Sequence, residues 1–171
     1  MSIRAIIFDC FGVLVSGSLE QFISTNLAHD ASLVRQAHEL NDQACLGLIS
    51  YEDQIAGFAK LAHIEVNEVR NQMDKNARNA ALIDYIEEHL HGKYKIGFLS
   101  NASDDWLNEL FQKKDLDLFD DFVLSYSVKL TKPDPLIYEL AATRLGVEPS
   151  ECIFVDDIER YCEGAREVGM Q

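Results

Sequence analysis

The sequence is short of positive charge. Its 171 residues carry 15 Lys and Arg against 29 Asp and Glu, a formal net charge of −14. Such a balance repels a phosphate backbone and argues against nucleic-acid binding. No block of like charge marks a tail. Cysteine is scarce and scattered. Cys10, Cys45, Cys152 and Cys162 form no CxxC pair, so neither a zinc site nor a thioredoxin-like motif is indicated. The five histidines, His29, His38, His63, His89 and His91, show no HxxH or HExxH spacing. No apolar stretch nears the ~20 residues of a membrane span. The first apolar run is broken by Asp9, so it does not read as a secretory signal. Internal repeats and low-complexity segments are missing too. What remains is the expectation of a reduced, cytoplasmic, soluble protein without membrane or nucleic-acid partners.

Apolar residues are plentiful at 47%, enough for one ordinary domain with a modest insertion. Four short apolar runs read as buried strands: Ala5–Phe8, 96–99, 122–124 and Cys152–Val155. Each is bounded by polar or turn residues, as parallel strands buried on both faces are. Helical stretches separate the later runs. Ser103, followed by Asp104 and Asp105, is placed to cap one helix. Asp134 with Pro135 opens another that Gly146 can close. Residues 158–168 form a third. Alternating strand and helix predicts an α/β fold with a parallel, three-layer sheet.

Residues 16–81 contain no convincing strand. Helical patterns fit 19–27, 32–45, Tyr51–Ala62 and 66–76. Asp30 caps the second, and Ser50 with Asp53 starts the third. A helix over 82–91 then returns the chain to the α/β part. The expected organisation is a core of residues 1–15 and 82–171 interrupted by a helical block, 16–81.

In open α/β sheets the ligand crevice lies beyond the carboxyl ends of the strands. Asp9 follows the first strand, Ser100-Asn101 the second, Asp156-Asp157 the last, and Lys132 precedes the helix after the third. Each alone is ordinary: a turn residue, a loop pair, a surface charge, a helix cap. Together they form a working set. Asp9 can attack phosphorus as a carboxylate nucleophile. Mg²⁺ between it and the phosphate would take Asp9 and Asp156 as ligands, with Asp157 holding a water. Ser100 can donate to a transferring oxygen, and Lys132 can neutralise the charge that develops there.

The segments IIFDCFGVL, IGFLSNAS, KPDPLIY and CIFVDD, in this order, resemble the haloacid dehalogenase-like (HAD) hydrolase superfamily over nearly the whole chain. The resemblance implies a Rossmann-like core and makes 16–81 a helical cap, as CLGLISYEDQIAGFAKL also does. It implies Asp9, Ser100 and Lys132 as catalytic residues and Asn101 and Phe11 as substrate contacts. It implies a metal site of Asp9, the Phe11 backbone carbonyl, Asp156 and Asp157 for Mg²⁺. The substrate would be a small phosphorylated molecule and the protein a monomer or homodimer.

Phe11 departs from the pattern. Most HAD phosphatases carry a second Asp there, which protonates the leaving group and then activates water. A phenyl ring does neither, and general acid–base catalysis contributes about 10²–10⁴-fold. Haloacid dehalogenases carry an aromatic residue at that place and need no acid, because halide leaves unprotonated. They lack the acidic pair, however, and two adjacent buried carboxylates demand a compensating cation. A Mg²⁺-dependent phosphohydrolase is therefore the first reading, a metal-independent 2-haloacid dehalogenase the second, and a binding or regulatory protein with a degenerate site the third. Two smaller departures follow. Tyr161 stands near a place where relatives often carry Asn. The chain stops at Gly169-Met170-Gln171, where relatives usually add another strand and helix; either the sequence is truncated or the last strand is an expected open sheet edge.

Overall fold

The computed structural model describes residues 2–171. Four parallel strands form one sheet: β1 (Ala5–Phe8), β2 (Lys95–Ser100), β3 (Asp121–Leu124) and β4 (Cys152–Val155), in the order β3-β2-β1-β4. The register pairs Phe8 with Phe98 and with Val155, so the central strands end level with one another. Side chains alternate between the faces with the period of two that a pleated strand imposes. Ile7, Leu99, Val123 and Phe154 pack on one face, Ile6, Phe8, Ile96 and Phe98 on the other. Both faces are covered by helices, which is why these strands read as continuous apolar runs.

Between β1 and β2 lie α1 (Leu19–Asn26), α2 (Ala31–Cys45), α3 (Tyr51–Ala62), α4 (Val66–Met73) and α5 (Ala80–Tyr85). The first four share an apolar cluster of their own, centred on Phe22, Ile55, Phe58 and Val69. Asp30 caps α2 through the Ser32 amide, and Ser50 and Asp53 close a reciprocal capping box on α3. After β2 come two single turns, α6 (Leu107–Leu110) and α7 (Lys113–Leu116). A third, α8 (Ser125–Val128), follows β3; α9 (Pro135–Leu145) precedes β4, and α10 (Glu159–Glu167) follows it. Asp134 caps α9 and Gly146 ends it, φ +71°.

Two expectations are corrected. Ser103 caps no helix: its hydroxyl donates to Gln54 Oε1 of α3 at 2.8 Å. Asp105 Oδ1 instead accepts from the Leu107 amide, a local turn that delays the helix to Leu107. The helix expected over 82–91 starts earlier and ends in a π-helical turn, Ile86–Leu90. As expected, β4 lies at the edge of the sheet; there Gln171 accepts from the Phe154 amide (2.8 Å) and donates to the Cys152 carbonyl (3.0 Å).

Candidate active site

The carboxyl ends of β1, β2 and β4 bring Asp9, Ser100 and the Asp156-Asp157 pair to one edge of the sheet. The Asp9 amide donates to the Val155 carbonyl at 2.9 Å, which fastens the end of β1 to β4. Lys132, in the loop before α9, reaches into the same place. Its ammonium lies 2.7 Å from Asp9 Oδ1 and 2.6 Å from Asp156 Oδ2. Asp9 is 4% exposed and Lys132 3%, so this ion triad is shielded from solvent and depends on its own pairing.

Charge balance sets the protonation states. Burial pushes the Asp9 carboxyl up to about 6, Asp156 adds to the rise, and Lys132 opposes it. Burial by itself would lower the Lys132 pKa, but Asp9 and Asp156 outweigh it and hold it above its ordinary value. The ammonium also faces two aromatic rings, Tyr161 at 4.8 Å and Phe154 at 5.4 Å from their centroids. Ring faces are electronegative, so both favour the cation.

Asn101 positions this lysine. Its Oδ1 accepts from the Lys132 amide (2.8 Å) and its Nδ2 donates to the Lys132 carbonyl (3.1 Å) and the Tyr161 hydroxyl (3.3 Å). Sequence reasoning expected Asn101 to face substrate; its amide grips the Lys132 backbone instead. Tyr161 was noticed only as a departure from a pattern. Its ring, its hydroxyl and its carbonyl, which accepts from Tyr138 Oη at 2.8 Å, all serve the site.

The acid pair divides differently from expectation. Both oxygens of Asp156 accept a hydrogen bond, Oδ2 from Lys132 and Oδ1 from the Ile158 amide at 2.9 Å. Asp157 is exposed and lies against Gly12, where an added Cβ would overlap its carboxylate. Gly12 has φ +94°, a conformation that glycine adopts without strain. So the two acids are not both buried, and Lys132 compensates the one that is. The turn over residues 10–15 is built by the Cys10 carbonyl, which accepts from the Leu14 and Val15 amides at 2.8 and 2.9 Å. No backbone donor engages the Phe11 carbonyl among the described residues.

Carboxylate oxygens of Asp9, Asp156 and Asp157 lie within 4.8 Å of one another. The oxygens that could hold a cation are those of Asp9, Asp156 and Asp157, together with the Phe11 carbonyl; each Asp156 oxygen already accepts one hydrogen bond. An all-oxygen set with carboxylates and open positions fits Mg²⁺. Ser100 Oγ is buried without a hydrogen-bond partner, a polar atom available to a ligand. The Phe11 ring turns toward Trp106, edge to face at 5.5 Å, and Trp106 meets Tyr51 of α3 in the same manner at 5.3 Å.

Known proteins share this architecture. A HAD family enzyme of Bacteroides thetaiotaomicron, solved with magnesium and inorganic phosphate, superposes with a TM-score of 0.79 at 24% identity, covering 99% of this chain and 92% of that one. The phosphatase-named YhcW of Bacillus subtilis is 30% identical over 128 residues, 70% of this chain and 56% of the relative. (S)-2-haloacid dehalogenase 4A of Burkholderia cepacia is 39% identical over 77 residues, 44% of this chain and 33% of the relative. The chain thus spans about half or less of the length of these curated relatives. The family model of the haloacid dehalogenase-like hydrolases matches residues 3–169, and the chain belongs to that family.

Proposed function

We propose that the protein is a Mg²⁺-dependent phosphohydrolase that acts on a small phosphorylated metabolite through an aspartyl-phosphate at Asp9. The observation that carries this reading is the paired Asp9: buried, and held at one oxygen by Lys132 2.7 Å away. An Asp9 carboxylate oxygen attacks phosphorus and the bond to the leaving oxygen breaks. Lys132 Nζ and Ser100 Oγ lie at the strand ends from which a transferring phosphoryl oxygen can be contacted. Asp156 acts through Lys132, keeping its ammonium charged and directed at Asp9. Asp9, Asp157 and the Phe11 carbonyl would hold Mg²⁺, which would supply positive charge against the phosphate dianion. Water then attacks the aspartyl-phosphate without help from residue 11, since a phenyl ring takes no proton.

In this reading residues 16–81 are a cap over the site. Support comes from their separate apolar cluster and from two polar links to the strand-end loops. Ser103 donates to Gln54, and Ser125 Oγ donates to the Cys45 carbonyl at 2.6 Å. Four free thiols, three of them buried, suit a reduced, cytoplasmic setting.

The test is a panel of phosphoesters and 2-haloacids, with Mg²⁺ or a chelator, on the wild type and Asp9→Asn. Phosphate release that needs both Mg²⁺ and Asp9 is the expected result. One observation favours a second reading, metal-independent dehalogenation: Lys132 pairs with both Asp9 and Asp156. Halide release that survives the chelator would select it, and loss of no activity in Asp9→Asn would remove both.

A further inference from the structure

Phe11 forms one wall of a cavity of about 230 Å³, between the turn after β1, the segment before α6 and the helical block. Trp106 and Tyr51 are its other aromatic walls, and Met73 and Leu110 extend the apolar surface. The three rings meet edge to face, so each is held by its neighbour rather than free to collapse inward. An apolar cavity of about 150 Å³ admits a benzene ring, so this one has room for one substituted ring.

Charge narrows the occupant further. Asp74 and Glu109 also line the cavity. The only base there, Arg78, donates to the buried carboxylate of Asp115 at 2.7 Å. A second phosphate or carboxylate entering this space would meet uncompensated negative charge. The chemistry of residue 11 points the same way. With no acid at Phe11, the departing oxygen must carry its electron pair away as an anion.

We propose that this cavity receives the leaving group of the substrate as a flat, uncharged aromatic ring, so that the substrate class is aryl phosphates. The inference rests on the reading of Asp9 as the phosphoryl acceptor. In the step, the bond from Asp9 oxygen to phosphorus forms as the bond from phosphorus to the aryl oxygen breaks. The electron pair of the broken bond stays on that oxygen. Delocalisation into the ring makes the phenolate a leaving group that needs no proton, and solvent protonates it after release. An alkoxide has no such stabilisation and leaves poorly without an acid.

Two measurements test this on the full chain with Mg²⁺ present. The first is binding of phenylphosphonate and methylphosphonate, followed by calorimetry and by the fluorescence of Trp106, the only tryptophan of the sequence. Phenylphosphonate is expected to bind about tenfold more tightly and to perturb Trp106, consistent with several edge-to-face contacts. Tyr51→Ala erases that preference, and Leu110→Glu serves if Tyr51→Ala does not fold. Equal binding of the two phosphonates overturns the assignment. The second is kcat/KM across substituted phenyl phosphates and methyl phosphate, which reads binding and phosphoryl transfer up to departure of the leaving group. The wild type is expected to slow steeply as the leaving group becomes more basic. Phe11→Asp is expected to flatten that dependence, raising methyl phosphate turnover by about 10²–10⁴-fold. Identical dependence in both proteins overturns the proposal. Phenylphosphonate preference without turnover of any phosphoester keeps the cavity assignment and removes the phosphohydrolase reading.

Discussion

The Lys132 ammonium stands 4.8 Å from the centroid of the Tyr161 ring, while the Tyr161 hydroxyl bonds to the Asn101 amide that grips the Lys132 backbone. One residue thus supports the lysine twice, through its ring and through its hydroxyl. The two contributions separate by mutation. Tyr161→Phe keeps the ring and removes two hydrogen bonds, from Asn101 and from Arg160, each worth about 1 kcal/mol. Tyr161→Leu also removes the ring's cation–π contacts with Lys132 and Arg160, each about 0.5–2 kcal/mol, and is expected to lose more stability and more turnover. Urea midpoints and kcat for both variants check this; equal losses would show that the ring contributes nothing at Lys132.

Removing the lysine itself leaves Asp9 and Asp156 buried and unpaired. Lys132→Met is expected to destabilise the fold by about 3–5 kcal/mol. Adding Asp156→Asn to it restores part of that loss, because one of the stranded charges is then gone. Urea denaturation at pH 7 reads both changes. A single mutant as stable as the wild type would mean that Lys132 is not the compensating charge.

Two glycines with positive φ separate backbone strain from metal binding. Gly12 (φ +94°) has the Asp157 carboxylate against it, whereas Gly146 (φ +71°) faces open space. Gly146→Ala is expected to cost about 1–2 kcal/mol of stability by strain and to leave Mg²⁺ affinity alone. Gly12→Ala displaces Asp157 as well, and Mg²⁺ affinity is expected to fall at least about tenfold. Calorimetric titration with Mg²⁺ distinguishes the two. Equal affinities in both variants would take Asp157 out of the proposed metal site.

Asp9 imposes a pH dependence of unusual sign. Burial raises its carboxyl from 3.8 to about 6 in the fold. Between those values the native state binds more protons than the unfolded one, so stability from this group rises as pH falls. Paired carboxylates with depressed pKa values do the reverse. In metal-free protein, the stability of the wild type relative to Asp9→Asn should therefore increase from pH 7 toward pH 4. Urea curves across that range measure the difference directly. A difference that shrinks on acidification would contradict the raised pKa.

Much of the site was legible because it lies at strand ends. Apolar runs mark buried strands, and a carboxylate or hydroxyl just beyond one projects from a predictable edge of the sheet. Asp9, Ser100 and Asp156 are placed at that edge by this reasoning, and Lys132 by its position before the helix that follows the third strand. The division of labour between Asp156 and Asp157 was not, because it depends on which carboxylate Lys132 reaches. Ser103 looked like a helix cap because Ser followed by two acids is one locally. In the folded chain Gln54, 49 residues away, takes its hydroxyl. Asn101 looked available to substrate for the same reason: nothing nearby in sequence shows that its amide is occupied.

Local pattern alone determined the alternation of strand and helix, the helical block between β1 and β2, the placing of Asp9 at a strand end and the family. These rest on the periods of strand and helix and on residue types at fixed offsets, which act over a few residues. Tertiary structure decided which acid is neutralised and which is free, how Tyr161 and Asn101 hold Lys132, and that Phe11 opens onto an aromatic cavity. Those features arise between groups brought together only by folding, where a difference of a few ångströms settles whether a charge is paired or a ring has a neighbour. Phe11 shows both sides. Its identity, a ring that carries no ionisable proton, is read from the sequence; its contact with Trp106 and its place in the cavity wall come from folding.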